Sequence, residues 1–325
     1  MDTRGARANG LRSIAIGTGT FASDTAAAIG SNSSASGAGS AAIGVDSLAS
    51  GTNSAALGAQ TEASGDASVA IGSATESLTP EFSLEAANAS ALRSVAIGSG
   101  SVASESFSTA IGEQSSADGL SSLAVGSRTG AAGTNAAAIG TRADASGGNA
   151  LSLGADTVSL GNNASAIGAR STANGNNSFA SGFTASAGGA NATAIGTRSS
   201  ASGSNAFALG LEDVSSNGNA TAIGTRAEAS GSNGVALGVD SEASGTNSTA
   251  IGRQASASQT GSFALGANST ATLANQFVFG TSVTTYVLPG ITSASSLARQ
   301  GAVDGLVTTD ANGNLASDGG ALEAG

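Results

Sequence analysis

A short block reading Ala-Ile-Gly, or a close variant of it, places its glycine at Gly17, Gly30, Gly44, Gly58 and Gly72, and then every fourteen residues from Gly98 to Gly280. A fixed period this short is the signature of a stacked solenoid, in which each turn rests on its neighbours and no enclosed globular core is needed. The glycines mark nineteen turns. In such an architecture function belongs to the surface and to assembly.

Composition agrees with the period. In 325 residues the aromatic fraction is 3% and the charged fraction 10%, too little of either for a conventional domain core and surface. Glycine, alanine, serine, threonine and asparagine dominate, which in an aperiodic chain would read as disorder. The strict spacing and a mean hydropathy of +0.12 argue for order instead. The net charge is −11 and the eleven cations are all scattered arginines, so no nucleic-acid partner is expected. Cysteine is absent, which removes disulfides and thiolate metal sites. Residues 1–12 lack the apolar core of a signal peptide, and no apolar run is long enough to span a bilayer as a helix. Because repeat sequence begins almost at once, with Ile14 to Gly17, the chain reads as an internal piece of something longer.

With the marker glycine as position 0, a second glycine usually falls at +7, as in Gly37, Gly51, Gly119 and Gly147. Glycine at both half-turns suits a flattened coil of two short strands, with positive φ expected at both corners. Strand alternation then puts −3 and −1 on one face and −2 on the other. Position −1 is bulky (Ile43, Leu57, Ile71, Ile97, Ile139), −2 is alanine in nearly every turn, and +3 and +5 are small, as in Ser47 with Ala49. The expectation is an interior of large −1 and −3 residues against small +3 and +5 residues, with the −2 alanine strip facing outward against another surface. A further outward column, at +2, reads Arg142, Asp156, Arg170, Thr184, Arg198, Glu212, Arg226, Asp240, largely alternating in sign.

The strings Ser94-Val95-Ala96-Ile97-Gly98, Asn247 to Gly252 and Glu242 to Asn247 resemble the head repeats of YadA-like trimeric autotransporter adhesins. The likeness runs over residues 13–280. It implies an all-β, left-handed parallel β-roll with 14-residue turns, assembled as a homotrimer, extracellular on a Gram-negative surface, anchored in the outer membrane by other parts of the full-length protein, and used for attachment. A host surface or matrix protein is the partner that the resemblance implies. Collagen binding in some relatives goes with Asn-Ser-Val-Ala-Ile-Gly, and no turn here carries that whole string; Arg93 precedes one Ser-Val-Ala-Ile-Gly and Ala67 stands before the related Ser68-Val69-Ala70-Ile71-Gly72.

The expected organisation is a lead-in over 1–12, head repeats over 13–280 with an insertion near 73–94, and a cap or the start of a neck over 281–325. In the insertion, Thr79 and Pro80 with Glu81 suit the start of a short helix, either a lateral ligand-binding knob or, as favoured, a decorative loop. Phe277 and Phe279 provide bulk to close the solenoid's end, and Val283 to Leu288 reads as a strand. Val307 to Thr309 and Leu315-Ala316 flank Asp310 to Asn314, which suits a hairpin. The same Asp310, Asn312, Asn314 spacing imitates a calcium loop, but its twelfth position is Ala321 and its glycine is misplaced. The Asn-x-Ser/Thr triplets are those expected by chance in this composition.

Histidine and lysine are absent, and Tyr286 is the single tyrosine, so most general bases and amine nucleophiles are missing. Glu212 and Asp213 are sequence neighbours that alternation sends to opposite faces. The chain therefore reads as a non-enzyme with no catalytic, cofactor-binding or metal-binding residues. Position +1 lacks the threonine ranks of an ice-binding solenoid. Two functions remain: an adhesin head mediating attachment to host or abiotic surfaces and cell-cell aggregation, or a structural spacer in a surface appendage or biofilm matrix.

Overall fold

The computed structural model describes residues 5–74, 85–288, 295, 307–309 and 314–317. The chain forms two units, residues 1–281 and 282–325. The first is a parallel β-solenoid. Each turn contributes a longer strand at −3 to −1 and a two-residue strand at +4 and +5, for example Ala41–Ile43 and Leu48–Ala49. The longer strands stack into one sheet of nineteen, running from Ile14–Ile16 to Phe277–Phe279, and the short strands into a second, from Arg7–Ala8 to Thr270–Ala271. All neighbours are parallel and every residue sits opposite its counterpart one turn away, as in Ala138↔Ser152 and Ala222↔Ala236. The first turn starts with Arg7–Ala8, paired with Phe21–Ala22, so residues inside the 1–12 lead-in already belong to the stack.

The interior reverses the expected facing. The −2 alanines, from Ala28 to Ala264, are buried within the roll, and Ala42 and Ala138 have no exposed surface. They meet the +5 alanines, such as Ala49 and Ala145, across the lumen. Small residues at −4 and +3, among them Ser40 and Ser47, complete a four-row interior. The bulky −1 residues stand on the outside: Ile43 is 39% exposed and Leu153 41%. The alternation holds and the +3 and +5 residues face inward as expected; only the longer strand has the opposite phase. A turn of fourteen residues brings its two strands so close that the largest fully buried side chains are threonines and Asp213. An isoleucine row has no room there, and close packing of methyl groups takes precedence over burying the largest apolar side chain.

Many of the serines and threonines in this interior turn back on the corners. The Ser40 hydroxyl donates to the Gly37 carbonyl at 2.7 Å, Ser47 to Gly44 at 3.0 Å and Thr61 to Gly58 at 2.8 Å. Each satisfies a buried hydroxyl locally, whereas the hydroxyls of Ser54, Ser68, Ser108, Ser122, Ser178 and Ser248, in the same −4 row as Ser40, make no hydrogen bond among the described residues.

The two corners also differ from expectation. Marker glycines do have positive φ, 138° at Gly140 for instance, but Gly37 and Gly147 at +7 do not. There glycine is needed for close approach: a Cβ on Gly147 would lie 2.1 Å from the Gly161 carbonyl oxygen. Positive φ at the second corner falls instead on +9, as at Asn191 with φ 56°. Asparagine tolerates this left-handed conformation better than other residues with a Cβ. The third residue of a four-residue turn then has φ above zero, as in type II turns, and the turn closes with Ser40 N–H donating to Gly37 C=O at 3.2 Å.

Register survives the insertion. Val69 pairs with Val95 and Glu62 with Asn88, so the register is the same on both sides of the insertion. The Ser99 hydroxyl bonds the Ser73 carbonyl at 2.6 Å and Ala87 N–H bonds Gly72 C=O at 3.1 Å, closing the base of the loop. The short helix expected around Thr79, Pro80 and Glu81 lies outside the described residues.

At the far end Phe277 and Phe279 do not enter the lumen. Both stand at outward positions and are half exposed, with Phe277 stacked on Phe263 at 4.3 Å between ring centroids. Val278, at the inward position, packs against the alanine rows and supplies the extra bulk where no further turn follows. Residues 283–288 form no strand, contrary to the reading of their sequence. In the second unit Val307–Thr309 pairs antiparallel with Leu315–Ser317, which is the expected hairpin pairing; the intervening 310–313, including the calcium-like positions, lie outside the described residues.

Candidate functional site

Since the lumen is filled by methyl and hydroxymethyl groups, whatever the roll recognises must meet its outer surface. Three outer features stand out. The first is the apolar column on the longer strands. Position −1 presents Ile29, Ile43, Leu57, Ile71, Ile111, Leu209 and Leu237, exposed in the single chain, beside half-buried −3 residues that change from Ala41 and Ala55 near one end to Phe207 and Phe263 near the other. Nineteen stacked strands extend this column over about 86 Å at ~4.8 Å per step. An apolar strip of such length, interrupted at Ser181, marks an interaction surface. The apolar strip on the outer surface is therefore isoleucine and leucine, not alanine.

The second is the charged corner at +2. Arg142 donates from Nε and Nη2 to Asp156 at 2.5 and 2.9 Å, Arg226 Nε to Asp240 at 2.7 Å, and Arg198 pairs with Glu212. The hydrogen bond from Arg142 holds the Asp156 carboxyl below the usual carboxylate range, and Arg226 does the same for Asp240. The sign alternation seen in the sequence is thus a column of inter-turn ion pairs. These side chains are largely exposed and screened by water and salt, so the pairs chiefly fix register and add little to stability.

The third feature had not been anticipated. At the opposite corner nine asparagines, from Asn135 to Asn247 at +9, form an unbroken ladder in which each Nδ2 donates to the Oδ1 of the next turn, eight bonds of 2.8–3.1 Å. The signal was visible as asparagine recurring nine residues after the marker glycine, but it was masked by the abundance of asparagine elsewhere. The ladder couples the conformational demand of positive φ to a continuous polar spine.

Glu212 and Asp213 do point to opposite faces. Glu212 pairs outward with Arg198, whereas Asp213 is buried and accepts Gly224 N–H at 2.7 Å and Ala227 N–H at 2.8 Å. Burial pushes the Asp213 carboxyl up, and the two N–H donors offset part of that rise. It replaces the serine of other turns and holds the next corner with its carboxylate.

Beside the insertion, a shallow recess is lined by Gln60, Glu62, Glu85 and Asn88, with Asn88 Nδ2 donating to Glu62 Oε2 at 3.4 Å. Among the described residues no group of acidic side chains could hold a metal ion, and no helix is long and apolar enough to cross a membrane.

A parallel stack of 14-residue turns, small inside and apolar along one outer face, defines a structural repeat protein whose surface is its working part. The family model described as "YadA head domain repeat (2 copies)" matches residues 4–20, 8–27, 49–75, 85–101, 89–112, 103–129, 159–185, 187–212, 215–241 and 243–269, more than half of the chain, and the chain belongs to that family. No curated protein sequence matches it. Among solved structures, the collagen-binding domain of the Yersinia adhesin YadA aligns at 20% identity over 77% of this chain and 93% of that one, with a TM-score of 0.17. That identity and superposition are too low to add to the fold described above.

Proposed function

We propose that the chain forms the head of a bacterial surface adhesin, built from three parallel copies that bury the Ile/Leu column against one another. The observation that carries this reading is the outward row of large apolar residues on the longer strands, here in a member of the YadA head repeat family. Exposed, it would be an aggregation surface; shared among copies, it becomes an assembly core. The variable second-strand positions, Leu48, Glu62, Val102, Asp144 and Glu228, are left to meet a host surface, a matrix protein, an abiotic surface or another cell. Individually weak contacts multiply when three chains and many copies engage together. The proposed location is the extracellular face of the cell, with anchoring by other parts of the full-length protein and no membrane insertion or catalysis by this segment.

A spacer role is the second reading, favoured by the continuous asparagine and ion-pair ladders, which stiffen the rod without forming a recess. Two measurements separate them. Under the adhesin reading, the purified chain added in solution reduces attachment of cells that display it. Attachment that persists undiminished when the head is replaced by an unrelated rod of equal length contradicts that reading and supports the spacer.

A further inference from the structure

The alternation of the +2 column lapses at Thr184; Arg128, the other +2 arginine not followed by a carboxylate, is followed by Arg142 and donates back to Gln114 Oε1 at 2.9 Å. Arg142, Arg198 and Arg226 each face a carboxylate on the following turn, but the turn after Arg170 carries Thr184. Arg170 faces no carboxylate on its following turn; its charge acts back on Asp156 of the preceding turn, and its guanidinium lies over the Phe183 ring, 5.8 Å from the centroid. Thr184 is itself unusual. It holds φ at 54°, a conformation that costs a β-branched residue more than the asparagine, aspartate or arginine found at corresponding corners, and its Oγ1, like the hydroxyls of six lumen serines, has no hydrogen-bond partner among the described residues. Phe183 is 46% exposed, and at the same +1 position two and four turns on stand Leu211 and Val239, each 41% exposed. Arginines at +2 therefore alternate along the corner with apolar side chains at +1, on a chain whose overall charge is −11.

We infer that Arg170, Phe183 and Thr184 form a docking notch for an acidic side chain of an extended polypeptide, with Leu211 and Val239 receiving apolar side chains of the same segment. The ligand carboxylate takes the place that Asp156, Glu212 and Asp240 take on the other turns, where an arginine from the preceding turn donates to it. Phe183 keeps the Arg170 guanidinium aimed along the corner and offers an apolar wall beside it. The apolar flank selects a polypeptide over an acidic polysaccharide, because a polyuronate repeats its carboxylates without apolar side chains. This inference rests on the break in the column and not on the adhesive role, so either can fail alone.

The test is fluorescence anisotropy with a short labelled peptide carrying glutamates among leucines and serines, its glutamine counterpart, and a labelled uronate oligomer. The glutamate peptide is expected to bind, more weakly as salt rises, with the other two at least about tenfold weaker. Arg170→Gln and Phe183→Ser each raise Kd about tenfold or more. Thr184→Asp supplies the carboxylate from within the chain, at a corner whose φ Asp156 and Asp240 already adopt, and so removes binding while the unfolding midpoint is kept or raised. The inference is overturned if the glutamate peptide does not bind, if its glutamine counterpart or the uronate binds equally well, or if Thr184→Asp binds as the parent does.

Discussion

Ala138 and Ile139 are neighbours on one strand, yet they belong to two different surfaces. The alanine is fully buried in the lumen and the isoleucine looks outward, and the same contrast repeats along the longer sheet. Inside, space is the limiting quantity, because two short strands face each other and carbonyls of successive turns meet at the glycine corners. Outside, nothing limits size, and the largest apolar residues collect there. Hydrophobicity alone therefore does not decide which face of a strand is core. In a narrow solenoid the small residues line the core, and the large ones stand on the outer face.

Substitutions can break this contrast from either side. The largest effect is expected from Ala138→Ile, which forces extra volume between turns and costs about 3 kcal/mol or more, read as loss of the folded signal in denaturant titration. Gly147→Ala follows, at about 2 kcal/mol, because its Cβ would meet the Gly161 carbonyl; hydrogen exchange should accelerate in the adjoining turns and leave distant ones protected. Asn191→Ala removes two rungs of the ladder and places alanine at positive φ, an expected loss of about 1–2 kcal/mol, with Asn191→Gly milder because only the rungs are lost.

The smallest expected effect is a pH dependence at Asp213. Its carboxyl is raised by burial, so the folded chain holds the proton at higher pH than the unfolded chain does. That contribution to stability is complete below the unfolded value and is lost as pH rises through the folded one. The unfolding midpoint of Asp213→Asn, measured relative to the parent, should therefore improve from acid to neutral pH. Asp156 and Asp240, lowered by their arginines, act in the opposite sense, but both are exposed and their effect is weakened by salt.

Much of the fold could be read from the chain. The fourteen-residue spacing set the turns, their register across the insertion and the two-strand division, and the +2 residues already displayed the alternation that becomes ion pairs. What was misread has physical causes. Ile43 and its equivalents were placed inward because large apolar residues usually are, and only the separation of the strands, which the sequence does not state, excludes them. Positive φ was assigned to Gly147, where crowding is the reason for glycine, and missed at Asn149, where the side chain hides the turn. The notch at Thr184 appeared in the sequence only as a gap in a column; the ring of Phe183 under Arg170 gives that gap its meaning.

The most direct test of the two-surface account is sedimentation equilibrium of the purified chain alongside the triple variant Ile139→Ser, Ile195→Ser, Ile223→Ser. The expected result is a trimer for the parent at micromolar concentration, and a dissociated species with unchanged β-structure for the variant. A well-folded parent monomer at that concentration, or a variant that stays trimeric, would contradict the assignment of the outer isoleucine column as the face that joins the chains.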